Sequence, residues 1–173
     1  GDHAVARIIA RPFVGQPGNF QRTSRRKDFS LSPPYPTVLD VLLEKGIQVA
    51  GVGKIGDVFT GRGISENFKT TSNSDTFRVF FELLDDERFG LIWANFNDFD
   101  TLYGHRNDTI GFQKALESWD TQLKEFLPRL RFNDLLIITS DHGCDPTTPS
   151  TDHSREHALL ICASPQLLMG DSL

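Results

Sequence analysis

Leu91-Ile92-Trp93-Ala94-Asn95-Phe96-Asn97-Asp98-Phe99-Asp100-Thr101-Leu102-Tyr103-Gly104-His105 is the stretch that decides the fold. Residues 91–96 form an apolar run of strand length, which passes without a break into a carboxylate and an imidazole five residues apart. Ligating groups just beyond a strand are characteristic of open α/β sheets, where ligands gather past the C-terminal strand ends. The pattern recurs on both sides. Residues 47–52 read as a short apolar strand followed by the turn Gly53-Lys54-Ile55-Gly56. Residues 135–139 read as a buried strand running into Ser140-Asp141-His142-Gly143, and 158–163 supply a final strand.

Helical periodicity fills the intervals. Over 108–127, Phe112, Ala115, Leu116, Trp119, Leu123, Phe126 and Leu127 recur at steps of three and four. A helix is predicted over 75–86, with Phe77, Val79, Phe80, Leu83 and Leu84 inward. A shorter one follows Pro36, capped by Thr37 and stopped by Gly46. Residues 4–10 alternate loosely as a strand. Residues 11–36, rich in Pro, Gly, Ser and Arg, read as a loop, and 57–71 show no firm pattern. Strands alternating with helices predict an α/β fold with a mostly parallel sheet and helices on both faces.

Composition narrows the function. The 173 residues suffice for one domain with a real core, and 38% hydrophobic with 24% charged content reads as globular. A net charge of -5 argues against nucleic acid as the main partner. No apolar run approaches the ~20 residues that span a bilayer. Two cysteines, Cys144 and Cys162, make no disulfide framework, and a cytoplasmic location is expected.

Taken singly, each polar motif has an ordinary reading. Asp100 and His105 suit a surface turn whose aspartate caps a helix, with Gly104 permitting the bend. His153, eleven residues after His142, suits a loop histidine. Together, in this order and at strand ends, Asp100, His105, Asp141, His142 and His153 read as a divalent-metal set. Carboxylates and imidazoles without thiolate suit manganese, magnesium or zinc. Two ions about 3.5–4 Å apart would clamp a phosphoryl group. Ser154, Arg155 and Glu156 are candidates to orient His153 from behind, and a solvated polar loop is the alternative reading, weighed equally for Ser154. Lys54 on its glycine-flanked turn and Arg7 inside a strand pattern suit a phosphorylated substrate. Arg22, Arg25, Arg26 and Lys27 read mostly as a solvated face. Cys144 reads as a small space-filling residue.

The stretches Ile8-Ile9-Ala10-Arg11-Pro12-Phe13, Gly18-Asn19-Phe20 with Arg22-Thr23, Gly53-Lys54-Ile55, Asp98-Phe99-Asp100 through His105, and Asp141-His142-Gly143 through Thr151-Asp152-His153 with Arg155-Glu156 carry a resemblance. In them the chain resembles the phosphopentomutases of the alkaline phosphatase superfamily, over nearly its whole length. The resemblance implies an alkaline-phosphatase-like core, two Mn2+ ions, and interconversion of ribose or deoxyribose 1-phosphate and 5-phosphate. It groups Asp100, His105 and His153 on one ion and Asp141 and His142 on the other. It places Arg7, Arg22 and Lys54 near the phosphorylated pentose.

The departures matter as much. The family's N-terminal metal aspartate and phospho-acceptor threonine have no counterpart, so no catalytic nucleophile is present and one ion site is incomplete. Cys144 and His157 stand where Asn and Tyr are expected. Residues 1–32 resemble the returning strand and hinge of a cap domain, and 33–173 the second half of the core. This reading expects a fragment that is inactive alone, with an exposed sheet edge inviting self-association. The alternatives are a related metal-dependent phosphoglycerate mutase or phosphohydrolase, and a non-catalytic metal-binding subunit completed by a second chain.

Overall fold

The computed structural model describes residues 5, 7–23, 25 and 27–166, and the side chains of Arg22, Lys27 and Asp28 lie outside that description. The chain divides into two compact units, Gly1–Thr71 with Arg78–Asn95, and Ser72–Phe77 with Phe96–Leu173.

The first unit is built on a three-stranded parallel sheet. Its centre is β5 (Gln48–Val52), flanked by β6 (Glu66–Phe68) and β7 (Phe89–Ala94). Val49, Ala50 and Val52 are wholly buried, as a central parallel strand covered on both faces requires. Val79 and Leu83 of α3 (Asn73–Leu84) close over this strand with Phe68, Phe89, Ile92 and Ala94. The strand β6 is the element within 57–71 that periodicity did not reveal, because three residues are too few to show a period. The predicted turn at 53–56 also tightens into a one-turn helix, α2 (Ile55–Val58).

Thr37 caps α1 (Val38–Glu44) as expected, with help the sequence reading missed. Asp40 Oδ2 accepts from the Thr37 N–H at 2.6 Å and from its hydroxyl at 2.9 Å, while Asp40 Oδ1 accepts from Arg62 Nε at 2.8 Å.

The expectation of a loop over 11–36 needs correction. Strand β1 (Arg7–Ala10) pairs antiparallel with β4 (Lys27–Ser30), and β2 (Phe13–Gln16) with β3 (Asn19–Arg22). Pro17-Gly18 makes the tight β2–β3 turn, with Gly18 at φ +89°. Proline before a glycine at positive φ is a tight-turn signature that outweighs loop-like composition.

The second unit packs Phe77, Phe96 and Trp119 together, with ring centroids 4.4–5.3 Å apart. Trp119 lies on α4 (Thr109–Phe126), the helix predicted over 108–127. Asp108 caps it by accepting from the Gly111 N–H at 2.9 Å. The strands β8 (Leu136–Thr139) and β9 (Leu160–Ala163) form an antiparallel ribbon, so among the described residues the parallel pairing belongs to β5, β6 and β7.

Candidate metal centre

Between β7 and α4 the chain makes a π-helical turn, Phe99–Tyr103, and then one 3₁₀ turn, Gly104–Arg106. In an α-helix, residues five apart diverge by roughly 140° around the axis. A π turn bonds i to i+5 and brings such residues to one side. Asp100 and His105 therefore meet, with His105 Nε2 3.2 Å from Asp100 Oδ1. Gly104 does not provide the expected bend, since its φ and ψ are an ordinary −59°. Its need for glycine is spatial, because a Cβ there would lie 2.2 Å from Cys144 Sγ.

His142 and His153 converge on the same carboxylate oxygen, at 3.9 Å and 3.2 Å from their Nε2 atoms. Their rings stack 3.5 Å apart, and His105 stacks on His153 at 5.0 Å. The loop between His142 and His153 is closed at its neck. Ser154 N–H donates to Gly143 O at 3.0 Å, and Asp145 N–H donates to Ser154 Oγ at 2.9 Å. Ser154 thus does more than decorate a solvated loop. Gly143 allows the closure, because a Cβ would sit 2.7 Å from Glu156 O and 2.9 Å from Ser154 O. Asn107, at φ +52°, holds the loop's far side by donating from Nδ2 to Thr148 O at 2.8 Å.

Two imidazoles have their tautomers set by the backbone. His105 Nδ1 bonds Thr151 O at 2.5 Å, and His142 Nδ1 bonds Gly143 O at 3.0 Å. Carbonyls only accept, so each Nδ1 carries a proton, and in the neutral ring each Nε2 keeps a lone pair facing Asp100. Asp100 Oδ1 is buried and, among the described residues, has no hydrogen-bond partner despite three nearby nitrogens. An orphan carboxylate oxygen facing imidazole lone pairs is poor geometry for hydrogen bonding and good geometry for a shared cation. One ligand atom each from Asp100, His142 and His153 lies within 4.8 Å of the others, a spacing that can hold a metal ion. The residues therefore fit a divalent metal.

The other predicted residues fall into two groups. Asp141 stands at the edge, its side chain 84% exposed and its Oδ1 3.5 Å from His142 Nε2. His105 and His153, grouped with Asp100 in the expectation, each bring Nε2 to 3.2 Å from Asp100 Oδ1, and His142 joins the same cluster at 3.9 Å. Arg155 and Glu156 are exposed, and among the described residues no side-chain hydrogen bond joins either to His153. In the first unit, Lys54 precedes α2 and Arg7 is exposed on β1. Arg22 ends β3, and Arg26 lies outside the described residues. Burial pushes the Cys144 thiol up, as do the charges of Asp100 and Asp145, which keeps it protonated. The loop-closing residues Ser154 and Asn107 carry no periodic signal, and Asn107 is found only through its left-handed backbone.

Residues 46–172 match the model of the Metalloenzyme superfamily. The chain is 54% identical over all 173 residues to a phosphopentomutase of Caldanaerobacter subterraneus subsp. tengcongensis, covering 44% of that protein. It is 56% identical over 167 residues to the phosphopentomutase of Anaeromyxobacter dehalogenans, covering 43% of it. The chain thus spans less than half the length of these relatives. A solved structure of a Pyrococcus horikoshii protein matches 84% of the chain, and 45% of that protein, at a TM-score of 0.61 and 17% identity, a likeness of fold. Among the described residues no helix is long and apolar enough to cross a membrane. With its family match extending from Gly46 through the ligand loops, the chain belongs to the Metalloenzyme superfamily.

Proposed function

We propose that this chain is the metal-binding part of a phosphopentomutase, interconverting ribose or deoxyribose 1-phosphate and 5-phosphate. The observation that carries the reading is the 54% identity to a phosphopentomutase along the full chain. The convergence of His105, His142 and His153 on Asp100 supports it. In this reading Asp100, His105, Asp141, His142 and His153 serve two Mn2+ ions, and residues 1–32 belong to a cap domain. Arg7, Arg22 and Lys54 bind the phosphate or sugar, and Arg155 and Glu156 lie behind His153. The protein works in the cytosol, which suits its two free thiols.

When bound, the metal neutralises phosphoryl charge and orients the transferring group. The chain's own residues do the positioning. Thr151 O and Gly143 O hold two imidazoles with Nε2 inward, and the closed loop neck keeps His142 beside His153. No residue here is assigned as the phosphoryl acceptor, so the chain alone is expected to show no turnover.

The test is a chimera in which this chain replaces the matching 44% of the Caldanaerobacter protein. The expected result is manganese-dependent interconversion of the pentose phosphates, abolished by His153→Ala. A chimera that folds and turns over phosphoglycerate but no pentose phosphate would overturn the reading.

A further inference from the structure

We propose that Asp98 is a positioning residue for the metal centre, acting through a clasp on the start of α3. The inference rests on the reading of Asp100 as a metal ligand. Three consecutive side chains leave the chain in three directions, each with its own contact. Asp98 Oδ2 accepts from the Asn73 N–H at 2.7 Å, and the Asp98 N–H donates to Asn73 Oδ1 at 3.0 Å. The Phe99 ring packs on Phe112 with centroids 5.3 Å apart. Asp100 faces the three imidazoles.

Asp100 Oδ1 has no hydrogen bond to orient it. Its direction therefore comes from the backbone, and the neighbouring anchors hold that backbone. The Asp98 carboxylate meets the N-terminus of a 12-residue helix, where unpaired N–H groups and the helix dipole favour an anion. The return bond from Asp98 N–H fixes the peptide immediately before the π turn. Thr101 N–H, bonded to Asn97 O at 3.0 Å, fixes the peptide on the other side of Asp100. Asp98 itself is not one of the converging donors. Its effect on the metal passes through the placement of Asp100.

A helix cap and a positioning residue make different predictions. Loss of a cap lowers the stability of the metal-free chain and leaves the affinity of the folded chain alone. Loss of a positioning residue weakens metal binding well below the unfolding temperature. The 173-residue chain is titrated with Mn2+, and the free ion is followed by electron paramagnetic resonance. Asp98→Ala is expected to raise Kd by about 10-fold or more, the scale for groups that orient a ligand. Asp98→Asn, which keeps an acceptor for the Asn73 N–H, is expected to recover most of the loss.

A Kd for folded Asp98→Ala within twofold of wild type would overturn the proposal, even with a lowered Tm. Failure of Asp98→Asn to recover binding would place the effect in the charge and overturn the clasp. If Asp98→Ala does not fold, Asn73→Ala decides, because it removes only the return bond. Weakening by several-fold supports the clasp, and an unchanged Kd overturns it. A wild-type chain that binds no Mn2+ would overturn the reading of the site itself, and this inference with it. Unchanged binding in the variants alone would leave that reading standing.

Discussion

Asp100 concentrates the problem that this molecule solves. Its Oδ1 is buried, unbonded and within 3.9 Å of three imidazole nitrogens. A buried acceptor without a donor costs stability, so the metal-free chain should not suffer when the charge is removed. Asp100→Asn is therefore expected to leave the metal-free Tm unchanged or higher and to weaken Mn2+ by at least about 10-fold. Thermal unfolding with and without Mn2+ checks both signs, and a lower metal-free Tm would mean that the carboxylate has a structural partner after all. Gly143 is the second decisive residue. Gly143→Ala would place a methyl 2.7 Å from one backbone oxygen and 2.9 Å from another, with no flexible side chain able to yield. The loop neck should part at a cost of about 1–3 kcal/mol. Urea unfolding reads the cost, and a variant as stable as wild type would mean that the bridge to Ser154 is dispensable.

Elements differed in how far the sequence disclosed them, for physical reasons. The helix α4 was legible because eighteen residues give its apolar face several turns to repeat, and β5 because its last four residues are all buried. The hairpin β2–β3 was hidden by composition, although Pro17-Gly18 marked its turn. The π turn was not legible at all, since a ligand spacing of five matches no regular helix until the backbone is seen. The five candidate ligands were found by type and spacing, while their closest set depended on a loop closure that no periodicity encodes. Asp40 shows the same gap at α1. The Thr37 N–H, then Arg62 and the Thr37 hydroxyl, lower its pKa from 3.8 to about 2. A folded value below the ordinary one means that ionised Asp40 stabilises the native state above pH 3.8. That contribution fades as pH falls towards about 2. Stability measured by urea unfolding should thus fall more steeply across this window in the wild type than in Asp40→Asn. Parallel slopes would remove Asp40 from the acid response.

At the scale of the whole molecule, the sheets leave much apolar surface uncovered. In the first unit Ile8, Phe13 and Phe20 are 56–61% exposed, and in the second Ile137, Leu160 and Ile161 are 52–59% exposed. Such side chains are unremarkable singly, but exposed on both faces of one ribbon, Ile137 and Leu160 on one and Ile161 on the other, they mark an interaction surface. Among the described residues the ribbon β8–β9 has two strands, and an isolated pair of strands is marginal in water. Among the described residues no further strand pairs with its outer edges, and such an edge can template another strand. The relatives that match this chain are more than twice its length. Self-association through this ribbon is the expected outcome. Sedimentation velocity over a concentration series should show a sedimentation coefficient that rises with concentration. Ile161→Lys, which puts a charge on an exposed apolar position of β9, should shift the population towards monomer. A monomer independent of concentration would show that the exposed strands are adequately solvated alone. A rising coefficient indifferent to Ile161→Lys would move the contact to the hairpins around Phe13 and Phe20.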